Sequence, residues 1–314
     1  MNSIIGNILS IITFSQCKLR SSSCACYLLL LTIADTLALI IISRPYFFEK
    51  FHYVHHLNSS LVCGFHFFLT KIFDQLSPWL LVFLACNRLF LTKFPRSYKT
   101  SKTALLTTLS LLIFLIILNL HLLFGIGLGY SLSSPCLSVC GPLSSSEIYL
   151  FFYQHVNPII DLMFSLILPF CFLFIANIFL ILNVNEVKHR SQRKISRNYR
   201  LTIVLLVDLI KFLIVSTPVL IIEIIYRLTR HNTLKYEQIL SLSWLIANKI
   251  FYLNYSLSFY LYVLTSSYFR QQFLNAIYLP YGIYSKNHRL KISKQTEQTC
   301  LLTNNTIALK ESDN

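Results

Sequence analysis

Ionisable side chains stand inside several long apolar stretches of this 314-residue sequence. Asp35 lies in the middle of one stretch, and Lys71 and Asp74 lie within another. A charged group inside a membrane costs several kcal/mol unless it is paired or solvated, so these residues are functional candidates by default. Lys71 and Asp74 are three positions apart and could neutralise each other on one helix face, as could Asp208 and Lys211.

Motifs that mark enzymes are missing from the sequence. It contains no Gly-rich phosphate loop and no group of His or Cys residues at metal-ligand spacing. His55 and His56 are adjacent in the sequence, so we expect their side chains to point in different directions. We therefore predict that the protein is not an enzyme and needs no organic cofactor.

The composition excludes an ordinary soluble protein. Charged residues make up 12% of the chain and hydrophobic residues 55%, whereas soluble proteins carry about 25% charged residues. The mean hydropathy is +0.60. A net charge of +15 would suggest a nucleic-acid partner in a soluble chain, but membrane proteins collect Lys and Arg in their cytoplasmic loops. We therefore expect lipid around most of the chain and no nucleic-acid partner.

Seven apolar stretches run through the sequence, and six of them contain the roughly 20 residues that a membrane-spanning helix needs. These six cover approximately residues 25–48, 60–91, 104–128, 148–184, 201–228 and 239–264. The first stretch, 4–14, is shorter, and it lacks the basic start and the cleavage site of a signal peptide. We expect that the sequence begins inside its first span, or that this span crosses a locally thinned bilayer.

The distribution of basic residues predicts which way the spans point. When the connections are assigned alternately to two sides, most of the 27 Lys and Arg residues fall on the side that contains the carboxyl terminus. Basic loops stay in the cytoplasm. The sequence therefore predicts a cytoplasmic carboxyl terminus and, with seven spans, an extracellular amino terminus.

A short amphipathic segment follows the seventh span. Between residues 268 and 279, Phe269, Phe273, Leu274 and Ile277 stand at helical spacing beside polar residues, which is typical of a helix in the membrane interface. Residues 280–314 are polar and predict a disordered tail after a membrane domain of residues 1–279. The predicted fold class is all-α membrane: a seven-transmembrane helix bundle with a short interfacial eighth helix.

Several motifs appear in the expected spans and in order. They are Gly6-Asn7, Leu31-Thr32-Ile33-Ala34-Asp35, Cys63 25 residues before Arg88, Pro169, Phe212 with Pro218, and Asn254 through Tyr262 to Phe269-Arg270. Together they resemble the rhodopsin-like (class A) G-protein-coupled receptors, in a divergent form similar to invertebrate neuropeptide receptors of the FMRFamide type. The resemblance covers residues 6–273.

The resemblance implies a plasma-membrane receptor that binds an extracellular ligand, here a neuropeptide, and activates a heterotrimeric G protein. One alternative is a receptor-like binding protein that no longer signals. Another is a polytopic transporter, which would need repeats between its two halves. We find no such repeats in the sequence.

Signalling positions can be carried over from the family residue by residue, and some depart from its pattern. The coupling and switch residues implied are Asn87, Arg88, Pro169, Phe212, Pro218 and Tyr262. Asn87 replaces the carboxylate that pairs with the arginine, an interaction worth about 1 kcal/mol when partly exposed, so we predict raised basal activity. Ser258-Phe259 replaces Asn-Pro, Ser216 replaces an aromatic residue, and Pro78 replaces the apolar partner of Phe212. Alternatively, Arg88 could be a basic residue that only sets the orientation of the third span in the membrane.

The resemblance also implies a sodium ion as an allosteric ligand. The residues that match its site are Asp35, Ser77 and Asn254, with Ser258 in place of an asparagine. Oxygen ligands of this kind hold hard cations. The alternative is a protonated Asp35 that is hydrogen-bonded to Asn7.

A disulfide is implied between Cys63 and the connection between the fourth and fifth spans. That connection offers both Cys136 and Cys140. The pairing stays open, and we favour Cys140 because it is nearer to the fifth span.

Ligand contacts are expected from the outer halves of the third, fifth and sixth spans. The candidates are Lys71, Asp74, Gln75, Asp161 and Glu223. If the cavity is acidic on balance, a basic or amidated peptide that carries Arg would suit it, through charge-assisted hydrogen bonds to Asp161 and Glu223. Thr70 and Tyr252 stand where the amine-binding aspartate and the retinal-binding lysine of the family would be, so neither a biogenic amine nor retinal is favoured.

Overall fold

The computed structural model describes residues 2–16, 23–50, 59–93, 101–131, 134–143, 147–188, 206–208, 210–222, 225, 234–265 and 267–278. Most of this part of the chain is helical, and a two-stranded hairpin is the one sheet within it. The predicted tail, 280–314, lies outside the described residues.

Four helices form the first half of the bundle. Their bounds are Asn2–Phe14 for α1, Ser23–Lys50 for α2, Ser60–Lys93 for α3 and Ser101–Gly125 for α4. The predicted apolar stretch 104–128 is wrong at its end, because α4 stops at Gly125 and a strand begins at Ile126.

A β-hairpin connects α4 to α5. β1, Ile126–Ser131, pairs antiparallel with β2, Ser134–Pro142. At the start of the hairpin, a Cβ on Gly125 would lie 1.8 Å from Cζ of Tyr149, so any other residue at this position would force the ring to move. The sequence did not predict these strands because a short apolar run fits a helix and a strand equally well.

α5 is a long helix, 147–188, with two wider turns in it. α-Helical segments Glu147–Phe151, Asn157–Leu162 and Leu168–Lys188 alternate with π-helical segments Phe152–Val156 and Met163–Ile167. Each π-helical segment ends two residues before a proline, Pro158 or Pro169. A proline has no N–H and its ring presses on the carbonyl four residues earlier, so a wider turn relieves the clash.

The remaining helices complete the bundle. In α6, residues 206–208, 210–222 and 225 are helical. α7 consists of Leu234–Phe251, Leu253–Ser256 and Ser258–Thr265, with breaks at single residues. α8, Ser267–Tyr278, covers the predicted interfacial helix.

The surface of the bundle is apolar and its interior contains many polar groups. Leu105, Ile113 and Ile117 are exposed, whereas Asp35 and Lys211 are buried. A soluble protein has the opposite distribution, because its charged side chains are mostly exposed and are rarely buried. Four helices of the described residues are long and apolar enough to cross a membrane. They are Ser23–Ile42, Ser60–Leu91, Ser101–Gly125 and Glu147–Asn183, and Ser3–Phe14 is a shorter apolar helix.

α3 lies at the centre of the helices and positions both polar regions described below. It packs against α2, α4 and α5. Its buried residues Leu80 and Leu84 belong to one apolar cluster with Leu115 of α4, Leu173 of α5 and Phe212 of α6. Side chains on different faces of α3 can therefore reach four neighbouring helices.

Candidate functional site

A cavity of about 250 Å³ lies between α3, α5, α6 and α7. Its walls combine charged and aromatic side chains, which include Lys71, Asp74, Tyr153, Asp161, Trp244 and Phe251. Cavities that enclose a drug-sized ligand usually measure about 300–1,000 Å³. This cavity is therefore large enough for one or two side chains of a ligand and too small for a whole peptide.

An ion pair joins α3 to α5 at the wall of the cavity. The Lys71 ammonium pairs with the Asp161 carboxylate, and both side chains are partly exposed. Gln75 Nε2 and Ser165 Oγ also donate to Asp161 Oδ1, at 3.2 and 3.0 Å. The sequence suggested Asp74 as the partner of Lys71. Spacing along one helix does not show that a residue of another helix, here Asp161 of α5, also lies beside the Lys71 ammonium.

Asp74 connects α3 to α7 instead. The hydroxyl group of Tyr255 donates to Asp74 Oδ1 at 2.9 Å, and Tyr255 is fully buried. Asp74 therefore lines the cavity with a neutral hydrogen-bond donor beside it. The charge of Lys71 acts on both carboxylates, but its direct ion pair is with Asp161.

Gln75 is buried and does not line the cavity. Its Oε1 accepts a hydrogen bond from Asn119 Nδ2 of α4 at 2.8 Å, while its Nε2 donates to Asp161. Its role is thus to support Asp161 from behind, which differs from the predicted ligand contact. Glu223 lies outside the described residues.

The aromatic residues that line the cavity were not predicted from the sequence. Tyr153 comes from the first π-helical segment of α5, and Trp244 and Phe251 come from α7. Aromatic residues are frequent along the whole sequence, at 14%. Their type alone does not distinguish a cavity wall from a surface that faces lipid.

A second polar cluster lies in the interior of the bundle. Ser77 Oγ donates to Asp35 Oδ1 at 2.6 Å. Lys211 and Asp208, both buried on α6, form an ion pair with Nζ 3.4 Å from Oδ1. Asn7 Nδ2 donates to the carbonyl oxygen of Tyr255 at 3.0 Å. Asn7 Oδ1, which would accept a hydrogen bond from a protonated Asp35, has no such partner among the described residues.

The residues expected to hold sodium do not fit a metal ion in this arrangement. Lys211 Nζ donates to Ser258 Oγ at 3.0 Å and to the carbonyl oxygen of Asn254 at 3.2 Å. Ser77 already donates to Asp35. The ammonium group of Lys211 therefore already uses Ser258 Oγ, one of the four expected ligands, and its positive charge acts on Asp35, the carboxylate that the ion would need.

Near the carboxyl end of α3, Asn87 is buried and Arg88 is half-buried. Asn87 Nδ2 donates to Ser23 Oγ at 3.0 Å and to Cys24 Sγ at 3.1 Å. These bonds tie α3 to the first turn of α2. This second role of Asn87 was not predicted from the sequence.

Phe212 and Tyr262, two of the residues expected to form the switch, lie in different apolar clusters. Phe212 is fully buried in the main apolar cluster, Pro169 is buried and Pro218 is half-buried. Tyr262 is buried, with its ring between those of Phe14 and Phe269, at centroid distances of 5.7 and 5.8 Å. α3 continues as one helix through Pro78.

A disulfide bond links the hairpin to α3. It joins Cys63 to Cys140, with the two Cα atoms 5.9 Å apart. Cys63 is fully buried among apolar residues from α3, α4 and the start of β1. The bond therefore holds β2 over the end of α3 that lies nearest to the cavity.

A protein-family model described as 7 transmembrane receptor (rhodopsin family) matches residues 6–262 of the chain. The match begins in α1, ends in α7 and includes the cavity, the polar cluster, the disulfide bond and Arg88. No curated protein matches the chain significantly.

Proposed function

Because the chain belongs to the rhodopsin family of seven-transmembrane receptors, we propose that its cavity binds a basic side chain of a short extracellular peptide. Membership of the family makes the protein a G-protein-coupled receptor, a multi-pass protein of the plasma membrane and not an enzyme. Its partners are a ligand and a heterotrimeric G protein. The class of ligand is our proposal. The resemblance of the sequence motifs to receptors of the FMRFamide type also supports a peptide ligand.

The charge of the cavity supports a cationic group. Its described charged residues are two carboxylates, Asp74 and Asp161, and one ammonium, Lys71. When all three are ionised, they leave one negative charge in excess. A guanidinium group would satisfy this charge with two parallel hydrogen bonds to a carboxylate.

Asp74 is the carboxylate that we assign to the ligand. A guanidinium at Asp161 would compete with the ammonium of Lys71 and with the two hydrogen bonds from Gln75 and Ser165. At Asp74 it would compete with the neutral hydroxyl of Tyr255 and with the charge of Lys71, whose direct ion pair is with Asp161. This assignment replaces the expectation that Asp161 makes the contact.

The aromatic walls suit the neighbours of such a basic residue. Tyr153, Trp244 and Phe251 surround the cavity, and aromatic faces attract both cations and other rings. A peptide that ends in Arg followed by an amidated Phe matches both features. Because the end of the peptide is amidated, it carries no terminal carboxylate that would repel Asp74.

The test uses the full chain in cells with a G-protein nucleotide-exchange assay. The probe is an amidated tetrapeptide that ends in Arg-Phe, and the comparison peptide carries citrulline, which is neutral but has nearly the same shape. We expect the citrulline peptide and the receptor variant Asp74→Asn each to lower potency at least about tenfold, as the loss of a charge-assisted contact of 1.5–3 kcal/mol requires.

Combining the two changes provides the decisive control. If Arg contacts Asp74, the citrulline peptide should lose little further potency on the Asp74→Asn receptor. Ser110→Ala, on the exposed surface of α4, should leave every potency unchanged. Equal potency of both peptides on the wild type would contradict the proposed ligand class, and peptide binding without nucleotide exchange would favour the non-signalling alternative.

A further inference from the structure

Three ionisable groups are buried together in the interior of the bundle, away from the cavity. Asp35 and Asp208 are 1% exposed and Lys211 is 8% exposed. The charges of Lys211 and Asp208 both act on the Asp35 carboxyl group, and Ser258 lies against it. The cluster thus joins α2, α6 and α7, and Ser77 adds α3.

The ammonium group of Lys211 has three contacts for its three hydrogens. It donates to Ser258 Oγ at 3.0 Å and to the carbonyl oxygen of Asn254 at 3.2 Å, and it faces Asp208 Oδ1 at 3.4 Å. An ammonium group has three donors and no acceptor. Its position is therefore fixed by groups on two helices.

A sodium ion and this ammonium group would compete for Ser258 Oγ. An ion held by Asp35, Ser77, Asn254 and Ser258 would share Ser258 with Lys211 and would lie within a few ångströms of a second positive charge. In a dry interior, such like charges repel strongly. Lys211 balances one of the two carboxylates, and a proton on the other carboxyl group would complete the balance without any metal ion.

We propose that the ammonium group of Lys211 takes the place of a sodium ion in this receptor, as a cation that is attached to α6 and cannot diffuse away. A dissociable ion makes the equilibrium between the states of a receptor depend on its concentration. An attached cation gives no such dependence. It connects α6 directly to α7 and stabilises the arrangement described here.

Two consequences follow for the wild-type receptor and its variants. The wild type should respond equally to sodium and potassium. Lys211→Met removes the charge but keeps an unbranched side chain, so it should free the oxygen atoms for a metal ion. The variant should thus gain a response to sodium that the wild type lacks.

The experiment measures basal nucleotide exchange in membranes that contain the full chain, without any peptide. Sodium chloride and potassium chloride are compared at equal ionic strength, about 0.15 M, so that general screening is the same. The thermal unfolding of the detergent-solubilised receptor is measured in the same two salts. We expect no difference for the wild type and, for Lys211→Met, basal exchange at least about fivefold lower in sodium than in potassium.

Control variants separate the charge of Lys211 from other effects. Lys249→Met makes the same chemical change at an exposed lysine of α7 and should behave as the wild type does. Adding Asp35→Asn to Lys211→Met should remove the acquired sodium response, because the carboxylate ligand is lost.

A wild-type receptor that sodium stabilises or silences more than potassium does would overturn the proposal. This comparison needs no variant, so it tests the proposal even if Lys211→Met fails to fold. A folded Lys211→Met receptor that is indifferent to sodium would also count against it. None of these measurements uses a peptide, so their outcome is independent of the proposed ligand class.

Discussion

Asn87 stands next to Arg88 near the carboxyl end of α3, where the receptors that this sequence resembles have a carboxylate. Its buried amide donates hydrogen bonds to Ser23 and Cys24 at the start of α2. An amide can hold two helices together in this way, but it offers no charge to the neighbouring guanidinium. Asn87 therefore cannot form the charge pair that a carboxylate forms with the arginine in the family, an interaction worth about 1 kcal/mol when partly exposed.

We expect Asn87→Asp to lower ligand-free signalling about fivefold, which corresponds to about 1 kcal/mol. The new carboxylate can pair with Arg88 and can still accept a hydrogen bond from the hydroxyl of Ser23. The measurement is basal nucleotide exchange, normalised to the amount of receptor at the cell surface. Asn87→Ala, which removes the same amide without adding a charge, should not lower the signal. Equal basal signals in wild type and Asn87→Asp would contradict the prediction.

At the scale of single elements, the β-hairpin between α4 and α5 decides which cysteine meets Cys63. The register places Leu128 opposite Cys140, and the disulfide bond joins Cys140 to α3. From the sequence, Cys136 and Cys140 were both possible, because spacing within a connection does not give its strand register. The preference for Cys140 agrees with the structure.

Cys140→Ser should destabilise the receptor by about 2–4 kcal/mol, the usual cost of losing a disulfide that closes a long loop. Cys136→Ser should have little effect on stability. Thermal unfolding of the detergent-solubilised variants measures both, and peptide mapping under non-reducing conditions identifies the linked pair. A stable Cys140→Ser receptor with Cys63 linked to Cys136 would refute the pairing.

At the scale of the whole molecule, the helices were easier to predict than the side-chain contacts between them. A spanning helix must satisfy its own backbone in lipid, so its apolar length is visible in the sequence. Whether Lys71 meets Asp74 or Asp161 depends on how α3 and α5 are rotated against each other. Likewise, the pairing of Asp208 with Lys211 followed from their spacing, but the contact of Lys211 with Ser258 and Asn254 depends on the packing of α6 against α7.

Orientation in the membrane is a property of the whole chain. Most of the basic residues fall on the side of the carboxyl terminus, and such loops remain in the cytoplasm. We therefore expect an epitope tag at the carboxyl terminus to bind antibody only after cells are permeabilised, whereas an amino-terminal tag should bind on intact cells. A carboxyl-terminal tag that is accessible on intact cells would reverse the orientation. The end of α3 that carries Cys63 would then face the cytoplasm, and an extracellular peptide could not reach Asp74.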